Sequence, residues 1–141
     1  MLTFFNNAGG PMDDEHCRFI FNKIAIALHK LHSNGVAHRD IKPENIILTP
    51  DFKIKIIDFG FGIPLSGKDG SFFMNTPRGT PTYRAPEIMY NKQYQGSDVD
   101  IFAFGVMVLT LRTMTYPFKH AYSKDEKYRS LMSNDSSRFW Q

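Results

Sequence analysis

Three short runs gather side chains that could do chemistry: His38-Arg39-Asp40-Ile41-Lys42-Pro43-Glu44-Asn45, Asp58-Phe59-Gly60 and Ala85-Pro86-Glu87. Spacing gives an amide and a carboxylate among them, Asn45 and Asp58, a reason to meet. Ile46 to Leu48 and Lys53 to Ile57 are β-branched and apolar, and Thr49, Pro50, Asp51 and Phe52 between them make a turn. If the two strands pair antiparallel, Asn45 at the start of the first and Asp58 at the end of the second lie side by side at the open end of a hairpin. Any one of these residues alone reads more simply, as a cap, a surface charge or a turn residue. Their order and register carry the chemical reading.

Other elements must hold that edge in place. Asp13, Asp14 and Glu15 supply a cap and an acidic first turn, after which Cys17, Ile20, Phe21, Ile24, Leu28 and Leu31 recur at helical spacing as far as Gly35. The spacing predicts a helix from Asp13 to Ser33. Residues Gly60 to Gly79 are rich in Gly, Pro and Ser without a regular period, which predicts a long loop. Ser97, Asp98 and Asp100 open a second helix, apolar all round from Ile101 to Leu111 and ended by Tyr116, Pro117 and Phe118, so it is expected to run through the core. The stretch from Ser123 to Gln141 is polar, with room for one short helix and Tyr128, Leu131, Met132, Phe139 and Trp140 as anchors.

Composition bounds the rest. With 141 residues, 42% hydrophobic and 22% charged, the sequence suits one globular domain and excludes a disordered or disulfide-built chain. Cys17 sits among apolar residues and reads as a buried structural thiol in a reducing compartment. The first ten residues lack the pattern of a secretory signal, and Ile101 to Leu111 is far short of the roughly 20 apolar residues that span a bilayer. An intracellular, cytoplasmic location is expected, with the nucleus as the alternative, and no membrane partner. The net charge of +3 is spread along the chain, so no nucleic-acid stripe is expected either.

In this order and spacing the three runs resemble the eukaryotic protein kinases. The resemblance covers nearly the whole chain, and it extends to Gly79-Thr80-Pro81-Thr82-Tyr83-Arg84 and to Asp100 five residues before Gly105. It implies a mainly α fold with a small β-hairpin: a kinase-like large lobe, residues 1–141 forming a partial protein kinase domain with the small lobe absent. It implies a serine/threonine kinase that uses ATP and Mg2+ and moves the γ-phosphoryl group to a Ser or Thr hydroxyl of a protein substrate. Asp40 is similar to the catalytic carboxylate, which orients the substrate hydroxyl and accepts its proton. Lys42 would offset charge on the moving group, and with Thr80 it favours Ser/Thr over Tyr as acceptor. Asn45 and Asp58 are similar to the magnesium ligands. Lys42, Glu44, Asn45, Ile47 and Asp58 make up the implied cofactor-binding set. Ile47 would close the adenine floor above Met107 and Leu111, and Glu44 also stands where some members select an arginine in the substrate. Arg39 matches kinases controlled by loop phosphorylation, with Thr76 as the expected acceptor and Ser71 the second choice. His38 and Phe59 look like part of the stacked column of an active kinase, with Asp100 anchoring the loop beneath.

The sequence also departs from the family. No Gly-rich phosphate loop, no Val-Ala-Ile-Lys strand and no helical Glu precede residue 38, and Gly9 and Gly10 resemble only the connection ahead of the lobe's first long helix. The family's arginine partner for Glu87 is not among these residues. Residues 1–141 alone are therefore expected to transfer little phosphate, the missing lobe coming from a longer product. The alternatives are a non-catalytic, kinase-like interaction module and a chain that does not fold stably.

Overall fold

Helix α1 (Asp14–Ser33) follows directly from its sequence. The Asp13 carboxylate accepts from the His16 amide at 2.9 Å, and Asp14 and Glu15 oppose the helix dipole in the first turn. The apolar spacing buries Cys17, Ile20, Ile24 and Leu28 on one face. Each fully buried Ile or Leu contributes about 1.5–3 kcal/mol. Asn34 ends the helix, its side-chain amide donating to the Lys30 carbonyl at 2.7 Å, and Gly35 (φ 73°) turns the chain away in a conformation glycine adopts without penalty. The computed structural model describes residues 13–65, 74, 76–133 and 135–140, so Gly9, Gly10 and Ser71 lie outside the described residues.

Two two-stranded antiparallel ladders follow. Strands β2 (Ile46–Leu48) and β3 (Ile54–Ile56) pair with Ile46 opposite Ile56 and Leu48 opposite Ile54, as the turn between them predicts. Strand β1 (Val36–Ala37) pairs with β4 (Ile63–Pro64). That second ladder corrects the reading of residues 60–79 as loop throughout. A two-residue strand has no period to detect, and Met74 adds an isolated antiparallel bridge to Tyr94.

Helix α2 is one turn, Pro86–Met89, and α3 spans Gly96–Thr113. Gln95 occupies the cap of α3 and makes no side-chain capping bond, and Ser97 and Asp98 lie in the first turn. The helix is also less enclosed than its composition suggests. Val99, Asp100, Ala103, Val106, Met107 and Leu111 are buried, whereas Ile101 is 56% exposed. Met107 and Leu111 pack with Ile24, Leu28, Ile41 and Ile46 in one core, so α1 and α3 sandwich the segment that carries Asp40. Helix α4 (Glu126–Leu131) buries Tyr128, while Met132 and Trp140 are largely exposed and do not serve as anchors. Among the described residues no helix is long and apolar enough to cross a membrane.

Gly96 fixes how closely α3 meets β1. A Cβ there would stand 2.5 Å from the Cβ of Ala37. Gly96→Ala is expected to destabilise the chain by about 1–3 kcal/mol through this overlap. Urea melts of the single variant and of the Gly96→Ala/Ala37→Gly pair check it, since the second change removes the opposing methyl and should restore most of the loss.

Candidate active site

The site is built on a stretch with almost no regular structure, residues 38–45, fastened from three sides. From below, Asp100 on α3 is fully buried and accepts from the His38 amide (2.8 Å), the Arg39 amide (2.7 Å) and His32 Nε2 (2.9 Å). These bonds hold Arg39 at φ 65°, a conformation that costs a non-glycine residue free energy. From the hairpin side, His38 Nε2 donates to the Ile57 carbonyl at 2.8 Å, and its Nδ1 accepts the Asp40 amide at 3.2 Å. Both partners together fix the Nε2–H tautomer. The His38 ring also meets Phe59 edge to face, with centroids 4.8 Å apart.

From above, the segment after Gly79 closes on Asp40. Gly79 has φ 86°, and a Cβ there would stand 2.6 Å from the Arg39 carbonyl oxygen, so only glycine allows this approach. Thr80 then donates to Asp40 Oδ1 twice, from its amide and from its hydroxyl, both at 2.8 Å. Lys42 Nζ lies 2.7 Å from Asp40 Oδ2 and 2.9 Å from Thr80 Oγ1. Asn45, buried on the 3-10 turn Pro43–Asn45, donates from Nδ2 to the Asp40 carbonyl (2.8 Å) and to Oδ2 (3.3 Å). Burial pushes the Asp40 carboxyl up, but the Lys42 and Thr80 hydrogen bonds and the Lys42 charge outweigh it, and its pKa lies below the ordinary carboxylate value. Four sequence-predicted residues, Asp40, Lys42, Asn45 and Thr80, therefore form one cluster around an ionised carboxylate.

A protein kinase domain matches residues 2–139 of this chain. The chain belongs to the serine/threonine protein kinase family. It is 40% identical over 117 residues to serine/threonine-protein kinase chk1 of Schizosaccharomyces pombe, covering 83% of this chain and 23% of that protein. To serine/threonine-protein kinase CHK1 of Saccharomyces cerevisiae it is 34% identical over 132 residues, covering 92% and 25%. To the maternal embryonic leucine zipper kinase of Xenopus laevis it is 40% identical over 108 residues, covering 76% and 16%. The chain thus spans about a quarter or less of the length of these relatives.

Other expected residues of this protein kinase chain stand apart from the Asp40 cluster. The ladder sets Asn45 opposite Ile57, whose amide donates to the Asn45 carbonyl at 2.9 Å, and Asp58 follows one residue later at φ 62°. Asn45 and Asp58 are therefore offset rather than side by side. The left-handed turn at Asp58 ends the strand one position early, and the Asn45 amide turns to Asp40. Asp58 is exposed, and its Oδ1 accepts from the Gly60 amide at 3.3 Å. Ile47 is 38% exposed and lies outside the core cluster that Ile46 shares with Met107 and Leu111. Glu44 is exposed; its charge, after burial and the Tyr116 phenol, helps push the Tyr83 phenol above its ordinary range.

Arg39 faces the other way, with Nε donating to the Phe61 carbonyl (2.7 Å) and Nη1 to Met74 Sδ and the Tyr94 hydroxyl (both 3.2 Å). The Tyr94 hydroxyl donates onward to the Thr76 carbonyl at 2.7 Å. Arg39 and Thr76 are thus joined through one buried phenol. Sequence reasoning missed Tyr94 and His32, because each acts on a partner far along the chain and neither stands in a run of chemical residues.

One titration tests the electrostatics of the cluster. Replacing Lys42 with Met removes the ammonium and one hydrogen bond while burial remains, so the Asp40 carboxyl should titrate at higher pH than in the parent chain. Carbon NMR of the Asp40 carboxyl reads this directly, and an unchanged or lower midpoint would contradict it. Because folding lowers this pKa, the stability Asp40 contributes is present above the unfolded carboxyl pKa of about 3.9 and is lost as pH falls through the folded value.

Proposed function

We propose that residues 1–141 form the catalytic part of the large lobe of a serine/threonine protein kinase that phosphorylates Ser or Thr hydroxyls of protein substrates. The observation that carries this reading is the convergence of Lys42, Thr80 and Asn45 on the two carboxylate oxygens of Asp40. When bound, ATP supplies the γ-phosphoryl group and Mg2+ neutralises the charge of its phosphates. The donor set suits that ion. The Asp40 carbonyl can only accept, so it fixes the Asn45 amide with Nδ2 inward and leaves Oδ1 as the free hard donor. Asp58 adds an exposed carboxylate that accepts from one amide. Mg2+ commonly keeps several waters and binds through one or two protein oxygens, which Asn45 Oδ1 and the Asp58 carboxylate would supply.

Its lowered pKa keeps Asp40 ionised and makes it a weak base, and as an anion it accepts charge-assisted hydrogen bonds. Its part is to receive and aim the acceptor hydroxyl, taking the proton late. Lys42 Nζ has three donors and gives two of them to Asp40 and Thr80. The third would face the transferred group and offset its charge. Arg39 and Thr76 are the regulatory pair in this reading, and Tyr94, bonded to the Arg39 guanidinium and to the Thr76 backbone carbonyl, keeps their two segments close.

The test joins residues 1–141 to a Gly-rich loop and its lysine strand and follows transfer of labelled phosphate from ATP to a Ser/Thr peptide. Asp58→Asn should raise the Mg2+ concentration needed for half-maximal rate by at least about tenfold, since one carboxylate ligand is lost. A polypeptide that transfers no phosphate in any Mg2+ concentration, or whose Mg2+ dependence ignores Asp58, would count against the proposal.

A further inference from the structure

The loop between α3 and α4 has a fixed shape. Asp125 Oδ2 accepts the amides of Lys119 (2.9 Å) and His120 (3.2 Å), and Oδ1 caps α4 through the Tyr128 amide at 3.1 Å. The Ser123 amide donates to the Tyr90 hydroxyl at 2.8 Å, and Ala121 is fully buried. Lys119 and Lys124 therefore leave from backbone that is already ordered. With Lys127 they edge a groove of about 540 Å³ whose apolar wall includes Tyr116 and Phe118.

The groove carries an excess of positive charge, three ammonium groups against the carboxylates of Asp125 and Glu126, and Asp125 turns both of its oxygens to backbone amides. The basic surface continues beyond it. Lys124 Nζ lies 6.0 Å from the Tyr122 ring, Tyr122 lies 6.0 Å from Tyr90, and Lys92 Nζ lies 5.9 Å from the Tyr90 ring. The groove is also tied to the active site. The Tyr116 ring meets that of Tyr83 at 6.1 Å, and Tyr83 closes the turn that starts beside Thr80, which bonds Asp40.

We infer that this groove docks an acidic segment of the protein substrate, with Glu or Asp side chains flanking an apolar residue, at a distance from the acceptor hydroxyl. Charge complementarity selects the acidic side chains and the Tyr116 wall takes the apolar one. The inference rests on the proposed kinase function for the substrate being a protein, although binding itself needs no phosphoryl transfer.

A fluorescein-labelled peptide with Glu residues flanking one Phe, titrated into the 141-residue chain and followed by anisotropy, tests it. Saturable binding that weakens with salt is expected, with the Lys119→Glu/Lys124→Glu variant losing about tenfold in affinity and the Lys→Arg pair retaining it. Lys124→Gln, which removes a single exposed charge, should lose a smaller part. Equal binding by the charge-reversed variant, equal binding of a peptide with Gln for Glu, or no binding to the parent chain overturns the inference. Asp40→Asn separates the two readings: it should leave peptide binding intact, so lost phosphoryl transfer with intact binding speaks to the catalytic cluster alone.

Discussion

Asp40→Asn should lower kcat for peptide phosphorylation by about a thousandfold in a polypeptide that joins these residues to a complete nucleotide site. Asn is nearly isosteric, so the loss would come from chemistry. An amide cannot take the hydroxyl proton, and its NH2 group would oppose either the Lys42 ammonium or the Thr80 amide and hydroxyl, all of which now donate to Asp40. KM for ATP should change little, since the proposed role of Asp40 is on the acceptor side. Steady-state kinetics with a Ser/Thr peptide read both constants, and circular dichroism verifies that the variant is folded. A kcat within about fivefold of the parent would remove Asp40 from the chemical step.

Asp100→Asn should cost about 3 kcal/mol of stability, the largest single-residue loss expected outside the apolar core. The carboxylate is wholly buried and accepts three donors, and in an Asn at least one of the His38, Arg39 or His32 donors would face an N–H group. The penalty is that of a buried donor left without an acceptor. Urea unfolding of the two chains measures it, and a difference below about 1 kcal/mol would mean that water or a shifted backbone takes over the bonds.

What the residues disclose in advance depends on how local the governing interaction is. Helix α1 was legible because its cap, its acidic first turn and its apolar spacing all lie within its own sequence. The β2–β3 pairing was legible from β-branched runs around a turn, but the offset of Asp58 was not, since a left-handed residue leaves no trace in composition. The partial exposure of α3 stayed hidden for the opposite reason: every side of the helix is apolar, so only the packing decides that Val99 turns inward and Ile101 outward. The Asp40 cluster was readable through the ordered motifs, although Thr80 reaches Asp40 across 40 residues. His32 and Tyr94 act across 68 and 55 residues without any motif, and their roles emerge only from folding.

The shared acceptor at Asp100 has a dynamic consequence. Segments without helix or strand normally open first, and their amide protons exchange quickly with solvent. Here the His38 and Arg39 amides end on a wholly buried carboxylate inside α3, so their exchange should be slower than that of other irregular segments. Residues 38 and 39 are thereby expected to open with the packed helices rather than with the loops, which amide hydrogen exchange would read.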